Sequence, residues 1–186
     1  MRYEIAPRDI ALLRASGLPQ EDVGHSVGVA RIVATLLEEM PPAALAGLDG
    51  ELAVRAALFH DLGKTVTTGI LHGEEGARIG RGLGLPEGVL AVMVKHVRAG
   101  VPAQQAASYG LPPGDRRVTR LEEALAIYAD KLADIVEEPG LAAGLADARR
   151  RFADILATRA DLAKDAATRE RYLALAQTVE TAIRPG

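Results

Sequence analysis

The stretch "LFHDLGK", residues 58–64, ends an apolar run with a histidine and an aspartate side by side. Adjacent residues of an α-helix point about 100° apart. His60 and Asp61 can therefore converge on one point only where the helix ends. Phe59 precedes them, so this end should be buried, inside a bundle of helices. A His-Asp dipeptide alone is weak evidence for a site, because such a pair arises easily by chance. Its weight depends on where the other three histidines, His25, His72 and His96, fall.

Working outward, helical periodicity covers most of the chain and no convincing alternating strand appears. Short helices are expected at about 7–15 and 50–60, the latter closed by Gly63. A longer one at about 21–39 carries Val29, Ile32, Val33, Leu36 and Leu37 on one face, and His25 belongs to that face. A helix starting near His72 would line up His72, Gly76, Ile79 and Leu83. After Pro86, "PEGVLAVMVKHV" aligns Val89, Val92, Met93 and His96. Residues 99–117 are rich in Gly and Pro and read as a loop. In "TRLEEALAIYADKLADIV", Thr119 followed by Glu122 forms a helix-start pattern, with Leu121, Leu125, Tyr128 and Leu132 as the main stripe and Asp130 beside it. Two amphipathic helices, about 140–157 and 166–184, complete an all-α chain.

Composition narrows the classes. The chain has 186 residues, enough for a single domain with a sizeable core. Apolar residues make up 48% but aromatic ones only 3%, so the core must be built from Leu, Val, Ile and Ala. A net charge of −3 gives no electrostatic case for a nucleic acid polymer as partner. Without cysteine there are no thiolate metal sites. No apolar run approaches the ~20 residues needed to span a bilayer, and no signal-peptide core opens the chain. A cytoplasmic protein without a membrane partner is expected.

All four histidines thus fall on or beside apolar helix faces. One buried histidine bonded to a carbonyl is ordinary; one on every inward face is a costly way to fill a core. A metal centre accounts for them together, and imidazole with carboxylate suits Mn, Fe, Co, Ni or Zn.

These residues resemble the HD-domain metal-dependent phosphohydrolases. His25, the "HD" of His60 and Asp61, and the Asp130 of "YADKLAD" follow that family's ordered His…His-Asp…Asp signature. "HDLGK" is close to the "HDIGK" form of one large branch, and "LHGEEGARI" and "VMVKHV" resemble its two additional histidine segments. The resemblance covers roughly residues 20–136; the C-terminal helices from 137 to 186 form an extension outside it. It implies an all-helical bundle of the HD-domain type and a divalent transition-metal cofactor, two ions in all. His25, His60, Asp61 and Asp130 would bind the first ion and His72 and His96 the second, with Asp61 bridging and taking a catalytic role. The implied activity is phosphohydrolysis, a metal-bound hydroxide attacking phosphorus in a small phosphorylated compound such as a nucleotide or dinucleotide. Leu62 stands where that branch has Ile, and "KHV" has one histidine where relatives often have two. The Gly-Tyr-Pro motif usual in enzymes that hydrolyse cyclic di-GMP is absent, which lowers the odds of that substrate.

Further residues are candidates. Lys64, three after Asp61, could hold a substrate phosphate and assist catalysis; Arg98, two after His96, could clamp phosphate as well. Glu74 and Glu75 suit a helix N-terminus, and Asp134 shares a face with Asp130 and either orients a ligand or faces solvent. Arg116, Arg117 and Arg120 read as a solvated basic cluster. "GKT" at 63–65 lacks the upstream glycine of a phosphate-binding loop, because Leu58 stands there. Two other readings use the same ligands: a di-iron oxygenase of the HD type, and a non-catalytic module binding a nucleotide. The apolar stripes of the last two helices suit a homodimer interface as well as a core.

Overall fold

The computed structural model describes residues 3–184. The chain runs through α1 (Pro7–Ala15), α2 (Gln20–Glu39), α3 (Pro42–Leu45), α4 (Gly50–Phe59), α5 (His72–Gly82), α6 (Glu87–His96), α7 (Leu121–Glu137), α8 (Leu145–Thr158), α9 (Ala160–Ala163) and α10 (Ala166–Ile183). Short 3₁₀ turns link some of them, and no strand occurs among the described residues. The fold is all-α.

Helices α4 and α7 form the centre. From Ala53 to Phe59 only Arg55 escapes full burial in α4, and α7 is buried almost continuously from Glu122 to Ala133. A helix apolar on nearly all sides has to be surrounded. Helices α2, α6 and α7 pack around α4, and α5 packs on α6 and on the 3₁₀ turn Leu62–Thr65. The last helices lie over the far side of α7. There Phe152 meets Tyr128 edge to face with ring centroids 5.0 Å apart, and Ile155, Leu156, Tyr172, Leu175 and Val179 join the same core as α2 and α4. The stripes considered for a dimer are thus spent on α7. No helix among the described residues is long and apolar enough to cross a membrane.

Several local expectations shift. Helix α4 ends at Phe59, with His60 as its C-cap, and Gly63 lies beyond it in the 3₁₀ turn. Gly63 does not terminate the helix; it is the point where α5 touches the turn. A Cβ on Gly63 would sit 1.8 Å from the His72 carbonyl oxygen. Similarly, a Cβ on Gly73 would lie 2.3 Å from the Met93 carbonyl oxygen, so α5 lies directly against α6. The buried face of α5 is accordingly Gly73, Gly76, Ala77 and Gly80, while Leu83 is 41% exposed. Small residues cost helix propensity, but they let α5 approach closely.

The start of α7 also moves by one position. Glu123, not Glu122, accepts from the backbone N–H groups of Thr119 (2.9 Å) and Arg120 (3.2 Å). Arg120 precedes the helix and its guanidinium has no acceptor, so only the carboxylate half of a capping box forms. Glu122 instead accepts from Asp49 N–H, and Asp49 caps α4 through Leu52 N–H at 2.9 Å. The 99–117 segment is irregular as expected, but it carries 3₁₀ turns and a small cluster of its own: Val101, Ala106 and Leu111, with Ile70 and Tyr109 against them.

Candidate metal centre

The fold brings His25, His60, Asp61, His72, His96 and Asp130 together from five elements. His60 and Asp61 follow the buried end of α4, His25 comes from α2, Asp130 from α7, His72 from the first residue of α5 and His96 from the last of α6. Neighbouring imidazoles form a chain, with centroids 5.5 Å apart for His25–His60, 5.1 Å for His60–His96 and 4.8 Å for His72–His96. Donor atoms of His25, His60 and Asp61 lie within 4.8 Å of one another, as do those of Asp61, His72 and His96.

Asp61 joins the two groups, one oxygen to each. Its Oδ2 is 3.2 Å from His60 Nε2, and its Oδ1 is 3.4 Å from both His72 Nε2 and His96 Nε2. The backbone makes this split possible. His60 keeps helical angles, while Asp61 steps out to φ −97°, ψ 11°. Asp130 Oδ1 lies 3.1 Å from His25 Nε2 and 3.3 Å from His60 Nε2.

Hydrogen bonds fix the tautomers. The Nδ1–H groups of His60, His72 and His96 donate to the carbonyls of Ala57 (2.7 Å), Gly69 (2.8 Å) and Met93 (2.7 Å). With Nδ1–H so engaged, each Nε2 turns inward and offers a lone pair whenever the ring is neutral. The buried His60 Nε2 has Asp61 Oδ2 at 3.2 Å and Asp130 Oδ1 at 3.3 Å but makes no well-aligned hydrogen bond. His72 Nε2 and His96 Nε2 face each other at 2.8 Å, two acceptors with no donor between them. Buried polar atoms left so are costly, and a cation between them removes the conflict. The residues fit a metal: nitrogen and carboxylate donors, converging, with ring orientations already held by outer hydrogen bonds.

The protonation pattern agrees. Burial lowers His72 most, with His96 adding to it, and together they bring its pKa down to about 4, so the ring is neutral and ready to ligate. Burial opposes charge on His25, but Asp130 and Glu137 outweigh it and raise its pKa to about 9. Burial likewise opposes charge on His60, Asp61 and Asp130, yet their mutual attraction holds His60 above and both carboxylates below their ordinary values. Protons here occupy the places cations would take, and metal binding would release them.

Lys64 reaches the centre, its Nζ lying 2.6 Å from Asp61 Oδ2 and 3.2 Å from Asp22 Oδ1. Arg98 goes elsewhere. Its guanidinium donates to Asp165 at 3.0 Å and lies over the Tyr109 ring, 5.4 Å from the centroid. Asp134 is partly buried, pairs with the buried Lys131 and lies close to His25 and Asp130. Burial and the neighbouring Asp130 raise its pKa. Of the basic cluster, Arg116 is not solvated. It is 4% exposed and grips Glu74 from Nε at 2.8 Å, so Glu74 serves that pair rather than only its helix end. Arg117 and Arg120 pair locally with Asp115 and Glu122.

Two contacts escaped the sequence reading. Glu137 Oε2 lies 2.8 Å from His25 Nδ1, and Asp22 holds Lys64. Both were within reach of helical spacing: Glu137 is two turns after Asp130 on α7, and Asp22 is three residues before His25 on α2.

Over 85 residues the chain is 40% identical to an uncharacterised protein of Methanocaldococcus jannaschii, a match covering 46% of this chain and 50% of that protein. It is 37% and 32% identical, over 84 residues each, to tRNA (cytidine(56)-2'-O)-methyltransferases of Thermoplasma volcanium and Picrophilus torridus. Those matches cover 45% of this chain and 25% of each enzyme. The chain thus spans half of the first relative and a quarter of the other two. Among solved structures, the HD domain of the phosphodiesterase PgpH from L. monocytogenes, in complex with cyclic-di-AMP, has a similar fold. The TM-score is 0.55 over 96% of this chain and 97% of that one, at 13% identity, a likeness of fold alone. The model of the HD domain family matches residues 23–135, more than half of the chain, a span that contains all six of the converging His and Asp residues. The chain belongs to the HD-domain family.

Proposed function

We propose that this chain is a metal-dependent phosphohydrolase acting on a small phosphorylated compound, a nucleotide or dinucleotide. The observation that carries the reading is the set of imidazole Nε2 atoms turned inward around Asp61, with His60 Nε2 in no well-aligned hydrogen bond and His72 Nε2 opposed to His96 Nε2. Membership of the HD family supports it, and the HD domain of similar fold that binds cyclic-di-AMP supports a nucleotide as substrate.

His25, His60, Asp61 and Asp130 hold one divalent ion; Asp61, His72 and His96 hold the other. Such ions, when bound, activate water near neutral pH and neutralise phosphoryl oxygens. Asp61 would serve both positions, with Oδ2 toward His60 and Oδ1 toward His72 and His96. The carbonyl-bound imidazoles of His60, His72 and His96 keep the ligand geometry in advance of loading. Lys64 sits on the Asp61 side of the centre and offers a point charge to a phosphate, with Asp22 holding it while no substrate is present.

Metal analysis of protein purified without added metal, followed by a nucleotide and dinucleotide panel with the metal found, tests the reading. About two equivalents of transition metal and hydrolysis that a chelator abolishes are expected. Metal-free protein that no transition metal loads, or loaded protein inert on every phosphate ester, overturns it.

Two sets of variants refine it. His72→Ala and His96→Ala should each lose one equivalent and keep the other, because only the second position depends on them. Wild-type stoichiometry in either variant would reduce the centre to one ion. Lys64→Ala should keep its metal yet lose about 1.5–3 kcal/mol of transition-state stabilisation, roughly ten- to a hundredfold in kcat/KM. Unchanged kinetics at matched metal content would remove Lys64 from the substrate.

A further inference from the structure

Three of the four histidines at the centre are oriented by their own stretch of chain. His60 and His96 stand at the ends of α4 and α6, where the last carbonyls have no helical partner, and each donates Nδ1–H to the carbonyl three residues before it. His72 opens α5 and uses Gly69, which lies outside the helix. His25 has no such option. It lies inside α2, five residues past the first, where the carbonyls of the preceding turn are already engaged by the helix. Its Nδ1 needs an acceptor from another element.

Glu137, the last residue of α7, supplies one: its Oε2 is 2.8 Å from His25 Nδ1. The same helix delivers Asp130 to the opposite nitrogen, Nε2. Space for the carboxylate comes from Gly28, one turn after His25, where a Cβ would lie 3.2 Å from Glu137 Oε1. Nothing else at the centre is held this way, since the other three imidazoles use neutral main-chain carbonyls.

We propose that Glu137 is a positioning residue for the first metal ion: its carboxylate fixes His25 as the Nδ1–H tautomer, turns Nε2 toward the ion and strengthens that nitrogen as a donor. This rests on His25 being a metal ligand, as in the proposed function. A carboxylate behind a metal-binding histidine sets its tautomer and basicity, and losing such a partner typically costs about 10- to 100-fold in metal affinity. Glu137 is nearly half exposed, so its removal should leave the fold intact.

The test is zinc competition against a chelator with metal-free wild-type, Glu137→Ala, Glu137→Gln and His25→Ala proteins. Nitrogen-15 NMR of the four histidine rings in the zinc-loaded state accompanies it. Glu137→Ala should weaken zinc binding at the first position by about 10- to 100-fold and lose the slowly exchanging His25 Nδ1–H signal. Glu137→Gln still offers an oxygen to Nδ1–H and should restore that signal and most of the affinity. His25→Ala should weaken the site more than either. If Glu137→Ala binds zinc as wild type does while His25→Ala fails, the positioning role is overturned and the metal assignment stands. If Glu137→Gln is as weak as Glu137→Ala, bulk charge rather than orientation is responsible, and the role is overturned as well. If wild type and His25→Ala bind zinc alike, His25 is not a ligand and both readings fall.

Discussion

Replacing His60 or Asp61 by alanine will bring metal-dependent hydrolysis to background, a loss of at least about 10³-fold. Both side chains are almost fully buried at the centre, and Asp61 presents one oxygen to each group of histidines. Without Asp61 neither ion position is complete. Ions bound at a phosphoryl centre contribute several kcal/mol of charge stabilisation, and about 4 kcal/mol already corresponds to ~10³ in rate. His60→Ala removes the imidazole that lies between Asp61 and Asp130, so it should unload the first position. Metal content and turnover, measured on the same preparations, check both variants. A metal-depleted Asp61→Ala protein that turns over at the wild-type rate would sink the assignment.

The second large effect concerns stability. Gly63→Ala will lower stability by about 3 kcal/mol, at the upper end of what overpacking usually costs. The added Cβ would run into the backbone of α5, the His72 carbonyl oxygen at 1.8 Å and the Gly76 nitrogen at 2.5 Å. Backbone cannot rotate aside as a side chain can, so α5 has to move away from the turn. For a chain of this size the loss corresponds to a fall in Tm of roughly 6–12 °C. Because His72 is the first residue of α5, the same movement draws it from Asp61. The second ion should therefore be lost as well. Thermal unfolding of the metal-free proteins, with metal stoichiometry beside it, separates the two consequences. An unchanged Tm would mean that the turn and α5 part easily, and that Gly63 holds nothing in place.

Much of this protein was legible in the residues themselves. The period of apolar positions gave the helices, because an amphipathic helix announces its inward face regardless of its neighbours. The pairing of His60 with Asp61 at the end of an apolar run marked the buried helix end. The four histidines on inward faces pointed to one centre before any distance was known. Other features follow from contacts between elements far apart in the chain. Gly63 looked like a helix terminator; only the approach of α5 explains it. Leu83 fell on the expected stripe of α5, yet the helix turns its glycines inward because they alone allow contact with Met93 and Gly63. Arg116 read as a surface cation until Glu74, 42 residues away, was found against it. Arg98 and Lys64 both read as cations just beyond ligand positions. Asp165 from the C-terminal extension draws one away, while Asp61 and Asp22 keep the other at the centre. Local pattern determined which residues are helical and which are buried, since both depend on spacing along one helix. Charge partners and close approaches depend on where other helices pass, and only the tertiary structure decided those.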